Sequence, residues 1–492
     1  MNQLIDIARG AYSRLPPRTR ARLASFLRFV PEDLKWGSSY RAWRALLVAA
    51  RDKPALIEEH RHRARLAMVE AAARHSPYYR ALFADLFGPA CAPERLLDAA
   101  NWTRIPVLTA ASVTANALDM CTRPLEELDT SSTGGSSGTP AKFYLDRNRS
   151  PIEYAFVHDV WSRAGFRAGN PRCVFRGLEL SNADPAHMEY EPALAELRCS
   201  VFHLTDATMH GYYEAIVGRK IRFIHGYPSA IAIFAAFLVR TGRAPLAQIA
   251  GVFLTSERFD SAQQDIVRQA FAHAPLVPFY GLSEKVAFAS AQGDDPDVFA
   301  FEPLYGYTEL LDENDAPIVT PGVSGRVVST GLLFAGMPLI RYDTGDSAEL
   351  VALPDAINGY RLTVRGIRPK HATEYLVGRS GSLIAVKGMI SNLQGTAYGV
   401  QEYQFYQDTP GEAVVRLVPL SRGAIDFSNY RDLLNRKLAG ELQVAVEVVD
   451  RIAMTPRGKR KFIDQRLDLA RAAANANAGR KAVADPAISR AS

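Results

Sequence analysis

Cysteine is scarce. The 492 residues include four, Cys91, Cys121, Cys173 and Cys199, with no C-x-x-C pair and no histidine at metal-ligand spacing beside them. Reduced thiols are therefore expected, and no zinc. Long apolar runs are missing too. The most apolar stretch, Ile231 to Val239, is nine residues, under half of the ~20 that a bilayer-spanning helix needs. The first thirty residues hold no apolar core of signal-peptide type. A cytoplasmic protein without a transmembrane segment is the expectation. Charge of one sign is also lacking: 58 Lys and Arg against 52 Asp and Glu leave a net charge of +6. That surplus fits a solvated surface with room for a phosphate-bearing ligand, and no nucleic-acid partner is expected. Internal repeats are absent.

What is present is an ordinary globular balance, 48% hydrophobic and 22% charged residues, in a chain long enough for about three domains. Residues 1–100 read as a helical leader, with apolar positions at helical spacing and a break at Pro77. From 101 to 377, short β-rich runs ("CVFRGL", "IRFIHGY", "GVFLTSE", "LVPFYGLSE") alternate with helical ones. This predicts an α/β core with parallel strands. The stretch 302–346 within it reads as a β-rich subdomain, with turn signals at "DEND" and "TPGVSG". A small α+β domain is expected over 378–465. The Ala-rich tail, 466–492, has little to bury and reads as disordered or a frayed helix.

From Thr130 to Thr139 every residue is Ser, Thr or Gly, and Pro140 and Lys142 follow. Residues without a Cβ let successive N–H groups point into one concavity, while hydroxyls add donors and a lysine adds charge. A flexible linker has the same composition, and composition leaves both readings open. The nucleotide P-loop and the dinucleotide fingerprint do not match. Three further stretches carry chemistry. In "FYGLSEK", Tyr280 stands four residues before Glu284, just past an apolar run where α/β ligand sites form. "RYDTGD" ends a second strand with Asp343 and Asp346, and "TPRGKRKF" sets Lys459 in a basic turn.

Taken in order with "HSPYYR", "IPVLT", "HGYPSAI", "PLIRYDTGD" and "VGRSGSLI", these stretches resemble the adenylate-forming superfamily of acyl- and aryl-CoA ligases. The phenylacetate-CoA ligase branch and its polysaccharide-cluster relatives are the most similar. The resemblance spans roughly residues 30 to 465. It implies a large N-terminal α/β domain with a β-rich subdomain and helical leader, plus a small mobile C-terminal α+β domain.

The resemblance also implies roles. Thr133, Ser136, Ser137, Gly138, Thr139 and Lys142 would hold the β- and γ-phosphates of ATP. Tyr280 and Gly281 would lie by the adenine, Ser283 would face the phosphates, and Glu284 would hold Mg²⁺. Asp346 would accept from the ribose hydroxyls, with Arg379 as a second ribose contact. Lys459 would bridge the substrate carboxylate and the α-phosphate. His225, Gly226, Tyr227, Thr255 and Glu257 would wall the acyl pocket, Gly381 would be the hinge, and Gly388 would lie by a pantetheine channel. The hinge departs from the family, which commonly carries an acid where Gly381 and Ser382 stand here, so a charged latch is missing from the motif.

The implied activity is ATP-dependent conversion of a carboxylic acid, aryl or similar, to an acyl-adenylate, then transfer to coenzyme A with release of AMP. Transfer to an amine, an amino sugar or a carrier protein is the alternative, and a nucleotide-binding relative without turnover is a third reading. A homodimer is compatible with each.

Overall fold

The structure is a computed structural model. It describes residues 30, 32–132, 142–178, 180, 186–259, 261–293, 295–369, 375–386, 400–419, 427–438, 440–452 and 463–468. Thr133, Ser136, Ser137, Gly138, Thr139, Gly388 and Lys459, and the tail from 469, lie outside the described residues.

Among the described residues three helices come first: α1 (Glu32–Ala50), α2 (Pro54–His75) and α3 (Pro77–Phe87). Their punctuation is local. Pro54 and Pro77 open α2 and α3 in the first turn, where a missing N–H costs nothing. Ser76 accepts from the Tyr79 N–H as the N-cap of α3. A hairpin follows, β1 (Leu128–Ser132) and β2 (Lys142–Asp146), with Ser132 paired opposite Lys142.

Twelve strands then build one mixed sheet. They are β3 (Arg172–Arg176), β4 (Met188–Glu191), β5 (Glu196–Ser200), β6 (Phe223–Gly226), β7 (Gly251–Thr255), β8 (Leu276–Gly281), β9 (Phe288–Gln292), β10 (Asp295–Phe301), β11 (Gly306–Leu311), β12 (Ser324–Gly331), β13 (Tyr342–Ala352) and β14 (Thr363–Pro369). Their spatial order is β11-β12-β13-β14-β10-β9-β8-β7-β6-β3-β5-β4. The run β5-β3-β6-β7-β8 is parallel. The rest pair antiparallel, so the stretch 302–346 extends the edge of this sheet instead of forming one of its own.

Helix α4 (Arg149–Ser162) precedes β3, and α5 (Asp206–Gly218), α6 (Pro228–Arg240) and α7 (Ser261–Ala270) link the parallel strands. Tyr212, Ile231 and Phe234 cover one face of the sheet over Phe175, Ile224 and Leu254. Tyr40, Phe156 and Trp161 cover the other over Phe223, Phe253 and Val277. Strands buried on both faces must be apolar throughout, which is why "CVF" and "GVFLT" do not alternate. From β3 the chain steps to β5 on one side and then to β6 on the other. That reversal makes the carboxyl ends of β3 and β6 the switch point of the sheet, where α/β folds place ligands.

Beyond β14 come the pair β15 (Tyr375–Val377) and β16 (Leu383–Ala385). A four-stranded sheet follows, made of β17 (Val400–Gln407), β18 (Glu412–Pro419), β19 (Gln443–Val448) and β20 (Ile463–Gln465), with helix α8 (Phe427–Lys437). Leu376, Ile384, Phe405, Val415, Leu434 and Leu442 form its core, and Phe202, from the loop after β5, is buried in the same cluster. The Lys437 Nζ lies 5.5 Å from the Phe202 ring centre.

Candidate functional site

Tyr280, next to last in β8, is half-buried, and its hydroxyl donates to Asp346 Oδ2 over 2.6 Å. Burial, and then the Asp346 carboxylate, push the phenol well above its ordinary pKa, so it stays a donor. Four residues on, Glu284 is buried and accepts from the Tyr342 hydroxyl over 2.8 Å. Burial raises its carboxyl while that bond lowers it. The backbone turns sharply at Lys285, φ 59°, whose Nζ pairs with Glu153 at 2.6 Å. Gly281 and Ser283 are exposed, and Lys142 starts β2 exposed.

Motifs read separately along the chain brace this site. The Tyr79 hydroxyl of "HSPYYR" donates to Pro338 O over 2.9 Å and accepts from the Ile340 N–H. Leu108 of "IPVLT" bonds Arg341 O and the Asp343 N–H, both over 2.9 Å. Arg341, 1% exposed, donates to Ile105 O over 2.6 Å and Thr103 O over 3.0 Å. Asp343 is taken by Arg326 at 2.9 Å and by the Gly345 N–H at 2.8 Å. Asp346 is therefore the carboxylate of "RYDTGD" that meets Tyr280. Tyr342, one residue from Asp343, carried no role in the sequence reading; its adjacency to "DTGD" was the one available signal.

The residues expected to wall the acyl pocket fall at the switch point. Gly226 ends β6 so close to β3 that a Cβ there would sit 2.2 Å from Phe175 O. The chain then turns into α6, with Tyr227 as N-cap and Pro228 in the first turn. Glu257 caps the same helix, accepting from the Ser229 N–H over 3.1 Å. Thr255 is buried at the end of β7, before Ser256 at φ 71°. His225 is 5% exposed and lies 4.8 Å from the Trp161 ring. Burial, then Arg176 and Arg172, hold its pKa well below 6.5, so the imidazole is neutral.

Among the described residues, neither nitrogen of His225 has a hydrogen-bond partner, nor have His158 Nε2, Trp161 Nε1, Arg172 Nε and Arg176 Nε. A buried polar group left unpaired costs about 1–3 kcal/mol, so six in one place is a concentrated debt. The sequence reading missed His158, Trp161, Arg172 and Arg176, since only the packing of α4 on β3 assembles them. A cavity lined by Arg61, Phe301, Tyr307 and Tyr360 shares no residue with either cluster.

At the expected hinge, the loop has no acid of its own and takes one from Glu441. The Glu441 Oε2 accepts from the Ser380 and Ser382 hydroxyls, each over 2.8 Å, and Glu441 O accepts from the Arg379 N–H over 2.7 Å. A Cβ at Gly378 would lie 2.4 Å from that carboxylate oxygen, and Gly381 has φ 80°. Arg379 itself is exposed.

Protein CapK of Staphylococcus aureus is 22% identical over 391 residues, covering 74% of this chain and 80% of CapK. A solved structure of 2-hydroxyisobutyryl-CoA ligase, in complex with 2-HIB-AMP and CoA, is similar with a TM-score of 0.49 and 17% identity, over 89% of this chain and 93% of that one. The acyl acid amido synthetase AtGH3.15, in complex with 2,4-DB, is similar with a TM-score of 0.43 and 12% identity, over 83% and 89%. No family model matches the chain. In the motifs quoted from its sequence, the chain resembles the adenylate-forming superfamily.

Proposed function

We propose that this protein activates a carboxylic acid with ATP and passes the acyl group to coenzyme A. The observation that carries the reading is the Tyr280–Asp346 contact, which unites two separate motifs beside the buried Glu284. A carboxylate oxygen of the acid attacks the α-phosphorus, the bond to the bridging oxygen breaks, and pyrophosphate leaves. The thiol sulfur of coenzyme A then attacks the acyl carbon, its proton goes to solvent, and AMP departs.

Two anions meet in the first step, so positive charge must be supplied. Lys459 and Lys142 supply it on the α-phosphate and the departing pyrophosphate, with the 133–139 run donating N–H and hydroxyl groups. Asp346 takes both ribose hydroxyls, because an acceptor-only group suits two donors, and Arg379 adds a second contact. Glu284, a single buried carboxylate, suits Mg²⁺, which binds through one or two carboxylates plus substrate phosphates. The bound ion would neutralise phosphate charge. Residues 101–377 form the ATP- and acyl-binding core in this reading, and 378–465 the lid.

An amine acceptor is the second reading. The lack of an acid within the hinge motif favours it, while Glu441 brings a carboxylate to that loop from elsewhere in the chain. The test is ATP–pyrophosphate exchange against aryl, fatty, hydroxy and amino acids without acceptor, followed by addition of coenzyme A or amines. Exchange with one acid class, lowered about 10²-fold or more in Lys459→Ala, supports the proposal. ATP binding without exchange on any acid argues for a protein without turnover.

A further inference from the structure

We infer that the unpaired nitrogens at the switch point form a specificity site for a neutral oxygen-bearing group, a hydroxyl or carbonyl, carried at the far end of the acid. The inference rests on the adenylation reading for the identity of the guest as an acid, and on geometry for the rest.

Trp161 is the hub. The His225 ring lies 4.8 Å from it, the His158 ring 5.5 Å, and the Arg172 guanidinium carbon 5.3 Å. Arg176 follows Arg172 by two strand periods on β3, so the two share a face. Trp161 is 0% exposed, Arg172 2%, His158 3% and His225 5%, so solvent does not satisfy them. Their other bonds are spent: His158 Nδ1 meets the Tyr40 hydroxyl at 2.9 Å, and Arg172 pairs with Glu196 at 2.5 Å and donates to Leu194 O at 3.3 Å.

The unpaired atoms are rich in donors. Indole and guanidinium N–H groups only donate, the neutral His225 ring adds one donor and one acceptor, and His158 Nε2 adds one or the other. An oxygen with two lone pairs answers that set, and a hydroxyl can also give its proton to His225. Glu196 answers Arg172, and Arg176 bonds the Tyr227 hydroxyl with the Glu153 carboxylate acting on it, so the set calls for no further anion. The place is the β3/β6 switch point, where a ligand is expected from topology alone.

The test compares para-hydroxybenzoate with benzoate, and hexanoate with and without a terminal hydroxyl, using calorimetric binding to the full chain and pyrophosphate exchange. The hydroxylated member of at least one pair is expected to bind ten times more tightly or better. His225→Phe should reduce that preference to within about twofold while ATP affinity stays unchanged, and His225→Gln, which keeps a donor and an acceptor, should retain part of it. Thermal melts establish that both variants fold. If His225→Phe does not fold, the His225→Gln result decides.

Equal binding within both pairs, absence of binding included, overturns the inference, as does an undiminished preference in a folded His225→Phe; the guest is then a trapped water. A hydroxyl preference without any exchange would count against adenylation and leave this site standing.

Discussion

The Tyr280 hydroxyl and Asp346 Oδ2 are 2.6 Å apart although β14, β10 and β9 stand between their strands in the sheet. The sheet must curl to bring them together, and the contact fixes the carboxylate proposed to hold ribose. Tyr280→Phe removes a charge-assisted bond but leaves Asp346 in place, so AMP affinity should fall roughly tenfold. Asp346→Ala should cost more, about 10²-fold. Calorimetric titration with AMP tests the order, and equal losses would contradict it.

Burial raises the Glu284 carboxyl above its ordinary value of 4.5. As pH falls through that raised value the group takes up a proton and gives up its hold on a cation. Exchange should therefore lose its magnesium response at a higher pH than an ordinary carboxylate would cause. Glu284→Gln should raise the magnesium concentration for half-maximal exchange about tenfold or more, since a neutral amide replaces a charged ligand. Magnesium titrations between pH 5 and 8 would read both effects.

His158 and His225 are held neutral, mainly by burial. Their folded pKa values lie below 6.5, so below that pH the unfolded chain binds more protons and stability falls as pH falls. The slope is up to about 1.4 kcal/mol per pH unit for each ring. Urea midpoints at pH 7.5 and 5.5 should diverge in the native chain. They should diverge less in His158→Phe or His225→Phe, and an unchanged gap in both would refute the assignment.

Glu441 clasps a loop whose glycine has no room for a side chain. Gly378→Ala and Glu441→Ala should each destabilise the small sheet, the latter by about 1–3 kcal/mol because two hydroxyls and the Ser380 N–H lose a buried acceptor. Limited proteolysis should cut these variants after β14 before the large sheet is touched. Resistance equal to that of the native chain would mean the clasp is dispensable.

Residue type was the legible part of this chain. The runs "CVFRGL", "IRFIHGY", "GVFLTSE" and "LVPFYGLSE" each became a parallel strand, because a strand covered on both faces writes its burial directly into the sequence. Tyr280, Glu284 and Asp346 stood out because their motifs are short and local. What stayed hidden depends on pairings across the chain. Asp343 and Asp346 look alike in "RYDTGD", and only Arg326, 17 residues upstream of Asp343, separates their roles. Glu441, 59 residues past Ser382, leaves no trace in the hinge motif it completes. The cluster around Trp161 draws on α4, β3 and β6, three elements that periodicity describes one at a time.

Phe202 leaves the large sheet only to be enclosed by Leu376, Phe405, Leu434 and Leu442. A ribosome delivers it long before those partners, so throughout much of synthesis an aromatic ring has nowhere to go and is open to chaperones or to a neighbouring nascent chain. The same debt falls on any product cut after β14: the large part would survive as a fold but carry a sticky knob. Completion of the small sheet beyond residue 369 is thus a solubility requirement for the large one, apart from anything it contributes to chemistry.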